Sequence, residues 1–138
     1  MLAYFVVPRY SPFSVEPNVL FLSKILTLGV LCGSLFLIVK GLVDLGQSLT
    51  PLPYPREEGA LVKTGVYRVV RHCLYSGVIL GAIAGTIYWL SLSHLIATAV
   101  LFVFFDAKAT QEEKWLCDRY PEYPEYQKTV KKLLPFIY

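Results

Sequence analysis

Two short stretches of the chain carry side chains able to do chemistry. The first, GVYRVVRHCLYSG from Gly65 to Gly77, sets Arg68, Arg71 and His72 among the rings of Tyr67 and Tyr75. On a helix, Tyr67, Arg71 and Tyr75 share one face at i, i+4, i+8, and Arg68 and His72 share the adjacent one. The second stretch holds Gln111, Glu112 and Glu113, with Asp106, Thr110 and Glu113 on one stripe. Separated positive and negative groups suit a zwitterionic ligand: arginine clasps a carboxylate in a bidentate fork, and glutamate takes an ammonium or ribose hydroxyls. Two plainer readings stand beside this one. The basic and aromatic residues also fit snorkelling side chains in an interfacial belt, and Asp106, at the end of a very apolar run, also fits a structural ion pair with Arg68 or Arg71.

Other chemistries find no support in the spacing. Cys32, Cys73 and Cys117 show no zinc-binding pattern and, being odd in number, leave a disulfide framework incomplete. His72 and His94 are too far apart for a helical metal pair, and no dinucleotide or phosphate-loop glycine pattern occurs. Ser76 lacks the setting of a hydrolase nucleophile. The expectation is therefore no metal.

The elements that must position these clusters are apolar. With 55% hydrophobic and 17% charged residues and a mean hydropathy of +0.52, the chain reads as an integral membrane protein. Its net charge of +3 comes from short segments flanking apolar runs, which argues against a nucleic-acid surface. We expect an all-α, multi-pass fold in a single membrane unit over residues 1–138, with about three spans. Residues 1–18, broken by Pro8, Pro12 and Pro17, form a membrane-edge segment. Residues 19–45 form the first span, with Lys24 and Lys40 snorkelling near its ends. Residues 46–138 form a proline-rich loop or ligand lid, a helical hairpin and a tail. The hairpin covers the tract from Leu74 to Phe105, breaks at Ser91 to His94 with Ser93 as N-cap, and runs on as DAKATQEEKWL. Basic residues flank both open ends of the hairpin and none sits in its turn, so both ends face the cytoplasm. The tail, with Tyr126, Val130, Leu133 and Leu134 opposite Lys128, Lys131 and Lys132, is expected to be a short amphipathic helix in the headgroup plane.

The run EGALVKTGVYRVVRHCLYSG resembles the EG-x-LV-x-TG-x-YR-x-x-RHP-x-Y-x-G motif of isoprenylcysteine carboxyl methyltransferases and the related phospholipid methyltransferases. The hairpin, the Glu112-Glu113 pair and the tail YPEYPEYQKTVKKLLP resemble the rest of that catalytic region in order and spacing. One departure is Cys73 where the family has proline; its absence permits a continuous helix through the motif, unless the surrounding turn holds the bend.

The resemblance implies methyl transfer from S-adenosylmethionine to a lipophilic acceptor that enters from the bilayer. The acceptor it implies is the carboxylate of an isoprenylated cysteine, with an ethanolamine phospholipid as the alternative. It implies Arg71 and Glu113 as catalytic residues. It implies a cofactor site of Leu61, Val62, Gly65, Tyr67, Arg71, His72, Tyr75, Gly77, Glu112 and Glu113, with Tyr120, Tyr123 and Tyr126 on the covering tail. A sterol-type reductase using NADPH and a non-catalytic protein of the same fold are the rival classes. Membrane lipids are the expected surroundings, and so short a set of spans is compatible with a homo-oligomer.

Overall fold

The computed structural model describes residues 16–46 and 60–138. Residues 1–15 of the expected membrane-edge segment and most of the proline-rich loop lie outside them, while Pro17 and Asn18, expected in that segment, belong to the first helix. Among the described residues the named elements are all helical: α1 (Pro17–Leu45), a 3-10 turn (Gly65–Arg68), α2 (Cys73–Trp89), α3 (Leu92–Arg119) and α4 (Tyr123–Thr129).

Helix α1 begins with Pro17 in its first turn, where the missing N–H is no loss and the fixed φ favours the helix. Both α1 and α3 are long and apolar enough to cross a membrane. At 17 residues, α2 reaches about 25 Å, the lower limit for a bilayer core. It lies against α1 along much of its length and against α3 on another side. The α1–α2 contact is close because Gly77 and Gly81 present no side chain: a Cβ at Gly77 would strike Ile38 and stand 3.1 Å from the Ser34 carbonyl. Ser34 uses that proximity to donate its hydroxyl to the Gly77 carbonyl at 2.7 Å, and Thr27 donates to Ala84. The outer faces of α1 and α3 keep Phe21, Leu28, Phe36, Val100, Val103 and Phe104 exposed, as lipid-facing surfaces do.

The hairpin turn is tighter than the sequence implies. Leu90 adopts the left-handed region, Ser91 stands at the cap position and α3 starts at Leu92. Ser93 is thus inside the first turn of α3 and not its N-cap. The helix then runs to Arg119 as expected.

Two further expectations are corrected. The motif from Gly65 to Gly77 is not one helix: the chain makes a 3-10 turn, passes through extended backbone at Val70 and enters α2 only at Cys73. The cause is long-range. Segment 130–134 lies alongside, so that Arg71 N–H donates to the Lys131 carbonyl at 2.8 Å and His72 N–H to the Lys132 carbonyl at 3.1 Å. The tail is likewise not an amphipathic helix in the headgroup plane. Its helix stops at Thr129, and Leu133 is fully buried with Ile79 and Ala109, so that apolar burial and the bridge to Val70 outweigh helical continuation.

Cys73 is the first residue of α2, fully buried. The bend at His72 is held by the tail and persists without the family proline. Cys73→Pro should therefore be tolerated, changing stability by no more than about 1 kcal/mol, since proline at this helical position gives up only an N–H outside the helical ladder. Thermal melting in detergent checks this; a loss of several kcal/mol would mean that the thiol itself holds the bend.

Candidate active site at the open end of the hairpin

The start of α2 and the end of α3 lie at the same end of the bundle, and between them the two clusters meet. Glu113, 8% exposed, accepts from four donors. Arg71 Nε lies 2.8 Å and His72 Nε2 3.1 Å from its Oε1, Gln127 Nε2 lies 3.0 Å from Oε2, and the Tyr123 hydroxyl is 3.5 Å from Oε1. Arg71 is held as firmly: its Nη1 donates to the carbonyls of Gln127 and Val130. The expected separation of positive from negative charge is thus absent at this pair. Their side chains, 9% and 10% exposed, form a buried ion pair whose remaining hydrogen-bonding capacity the α4 strap largely fills. The phenols of Tyr123 and Tyr126 are pushed far above their ordinary range, chiefly by burial. They remain neutral donors, Tyr126 to the Tyr67 carbonyl.

Glu112 faces a different corner. Its Oε1 accepts from the Tyr75 hydroxyl at 2.5 Å, and its Oε2 is 3.7 Å from His72 Nδ1. The Tyr75 ring stacks with His72, centroids 5.5 Å apart, and with Phe105, at 4.8 Å. The Lys108 ammonium lies 5.0 Å over that ring and 3.8 Å from Glu112. An aromatic face beside a carboxylate already attracts a cation here, as ring quadrupoles and acidic groups do.

Of the ten positions expected around the cofactor, five converge: Arg71, His72, Tyr75, Glu112 and Glu113. The other five lie at or towards α1. A Cβ on Gly65, whose φ is +61°, would fall on the Asp44 carboxylate, which accepts the Val66 N–H at 2.9 Å. Tyr67 is buried and donates to the Gly41 carbonyl. Val62 packs on the apolar cluster of Leu37, Val66, Tyr67, Val70 and Cys73, Leu61 is half-buried beside it in sequence, and Gly77 admits a neighbouring helix. Asp106 pairs with Lys132 at 2.6 Å, not with Arg68, which is exposed, or Arg71.

Sequence reading missed two participants. Lys108 stands one helical turn before Glu112, an i, i+4 signal that was available. Gln127 carries no local signal, because only the folding back of α4 brings it to Glu113.

Residues 25–118 match the model of the isoprenylcysteine carboxyl methyltransferase (ICMT) family. The chain is 33% identical over 115 residues to the protein-S-isoprenylcysteine O-methyltransferase of Schizosaccharomyces pombe, covering 80% of this chain and 48% of that protein. It is 38% identical over 96 residues to the enzyme of the same name from Saccharomyces cerevisiae, covering 67% of this chain and 40% of that one. The solved structure of the eukaryotic intramembrane Ras methyltransferase ICMT is similar with a TM-score of 0.73 and 25% identity, over 83% of this chain and 42% of that chain. This chain thus spans about half the length, or less, of the relatives it matches.

Proposed function

The chain belongs to the isoprenylcysteine carboxyl methyltransferase family, and from that premise we propose that it methylates the carboxylate of an isoprenylated cysteine at the cytoplasmic face of a membrane, with S-adenosylmethionine as donor. The observation that carries this reading is the corner made by Tyr75, Glu112 and Lys108: a stacked ring, a carboxylate and a cation in mutual contact.

The residues present fit the donor. In the chain by itself a lysine ammonium rests on the Tyr75 face beside Glu112, so the corner accepts a positive group of the kind a sulfonium presents. When bound, S-adenosylmethionine supplies an electrophilic methyl on a sulfonium. The chain's residues orient and shield. Tyr75 and Glu112 hold positive charge, the ring contributing about 0.5–2 kcal/mol. His72, braced by Glu113 and by the Lys132 carbonyl, fixes the wall of the site. A carboxylate acceptor is already a nucleophile and needs no general base, so the work of the site is near-attack positioning, which supplies up to roughly 7–11 kcal/mol. The acceptor's isoprenoid lies along the exposed apolar face of α3 and enters sideways from the bilayer.

Arg71 is committed to Glu113 and to two carbonyls, which leaves Lys108, 42% exposed at its side chain, as the cation that receives the acceptor carboxylate. Lys108→Gln should raise the KM for the acceptor about tenfold, a charged hydrogen bond in a half-exposed setting being worth roughly 1.5 kcal/mol, and Lys108→Arg should restore most of it. Steady-state kinetics checks this, and an unchanged KM in Lys108→Gln would remove the lysine from acceptor binding.

The activity itself is tested by incubating membranes containing the full chain with methyl-labelled S-adenosylmethionine and an N-acetyl-S-farnesylcysteine acceptor. Label released by base as methanol is the expected ester product. Base-stable label in an ethanolamine lipid would replace this reading by the phospholipid one, and no label in either would support a non-catalytic protein.

A further inference from the structure

Beside Arg71, α4 and the strap that follows it border an open pocket of about 280 Å³. Four cations line it, Arg71, Lys128, Lys131 and Lys132, with Ile137 and the Tyr138 ring as its apolar wall and no acidic side chain in the lining. The acids that meet three of these cations stand outside the lining: Glu113 against Arg71, Asp106 against Lys132 and Glu125 against Lys128. The Lys128–Glu125 pair is 69% and 76% exposed, a surface contact of little strength that yields to a competing anion. Lys131 is exposed and forms no ion pair with a carboxylate among the described residues.

The height of this pocket is fixed by its anchors. Lys132 Nζ lies 2.6 Å from both Asp106 Oδ1 and Thr110 Oγ1, the Tyr138 hydroxyl is 3.2 Å from Asp106, and the Tyr138 ring stands 6.0 Å from Phe102. Phe102 to Asp106 is where the apolar run of α3 gives way to charge, so the pocket opens level with the edge of the hydrocarbon. Beside it Phe136 and Ile137, 83% and 75% exposed, offer apolar surface that water would not favour. Ammonium groups and exposed apolar side chains side by side, at that depth, match the two halves of one molecule.

We propose that this pocket binds the phosphate of an anionic phospholipid, with Lys128 and Lys131 on the headgroup and the acyl chains beside Phe136 and Ile137. The occupant is a lipid and not a soluble anion, because the apolar wall and the exposed turn would contribute nothing to free phosphate. Binding has a consequence for the site next door. The same strap supplies the Gln127 and Val130 carbonyls that hold Arg71 and the Lys131 and Lys132 carbonyls that hold the backbone of Arg71 and His72. A headgroup across Lys128 and Lys131 therefore ties down the element that orients the cluster. This inference does not depend on which reaction the cluster performs.

The test is lipid retention by the purified full chain in neutral detergent, read by native mass spectrometry with phosphatidylglycerol, phosphatidylcholine or inorganic phosphate added. The wild type should retain phosphatidylglycerol over phosphatidylcholine by about tenfold, each lysine contributing a few-fold. Lys128→Gln with Lys131→Gln should lose the preference while keeping the wild-type melting curve, and Lys128→Arg with Lys131→Arg should keep it. Equal retention of the two lipids by the wild type overturns the proposal, as does a preference that survives in the glutamine variant. Displacement of phosphatidylglycerol by millimolar inorganic phosphate would show a free-anion site and also overturn it.

Discussion

Alanine at Glu113 should lower stability by about 3–5 kcal/mol and remove methyl transfer, the largest loss expected from any single side chain here. Removing one partner of a buried ion pair leaves the other charge desolvated and uncompensated, and Arg71, 9% exposed at its side chain, has no second carboxylate to turn to in this contact. The four donors that converge on Glu113 lose their acceptor together, so His72, Gln127 and Tyr123 are released along with Arg71. A paired variant separates the stability of the fold from the bracing of the site. Arg71→Met with Glu113→Leu removes both charges at similar volume, and such replacements of a buried pair are commonly neutral or better for stability. Its melting temperature should return towards the wild type while activity stays absent. Melting in detergent with parallel methyl-transfer assays decides this. An active double variant would show that the pair is not needed to brace His72 and the site.

The second large effect is expected far from the chemistry. Gly77 touches α1, where Ile38 and the Ser34 carbonyl occupy the space that a side chain would need, and the Ser34 hydroxyl bonds to the Gly77 carbonyl. Gly77→Val must push two backbones apart, which costs about 1–3 kcal/mol for overpacking and up to about 1–2 kcal/mol more for the interhelical hydrogen bond. Because α2 begins with Cys73 one turn earlier, the displacement reaches His72 and Tyr75, and affinity for the donor should fall with stability. Gly33→Ala on α1, where an added Cβ meets nothing within 4 Å, is the control and should be neutral or slightly stabilising through helix propensity. Melting curves and donor titration on both variants check the contrast; similar losses in both would mean that the α1–α2 contact is not what sets the site.

Much of this arrangement was legible in the sequence, for reasons that differ by element. The long apolar runs announce α1 and the hairpin, since hydrocarbon length fixes helix length, and the charges at Arg71 and Glu113 sit where the two arms of the hairpin must end. What stayed hidden depends on contacts distant in sequence. Helical spacing put Tyr67 and Tyr75 on one face, yet the strap at Lys131 and Lys132 pulls the backbone straight at Val70, and the two rings part, Tyr67 to α1 and Tyr75 to Glu112. The alternation of lysine and apolar residues after Tyr126 is the pattern of a surface helix, but Leu133 finds a buried position against Ile79 and Ala109, and burial outweighs periodicity. Gln127 had no local mark at all. Lys108 had one, and a basic residue one turn before an acid at the mouth of an apolar helix is a pattern worth reading for function.

The central claim is that His72, Tyr75 and Glu112, braced by the Arg71–Glu113 pair, hold a cationic methyl donor. Equilibrium binding of labelled S-adenosylmethionine to the purified chain measures it most directly, with Glu112→Gln alongside and NADPH as the comparison ligand. We predict saturable binding of S-adenosylmethionine by the wild type, a loss of about tenfold or more in Glu112→Gln at unchanged melting temperature, and no uptake of NADPH. Equal affinity in the two proteins, or a wild type that takes NADPH in place of the methyl donor, would contradict it.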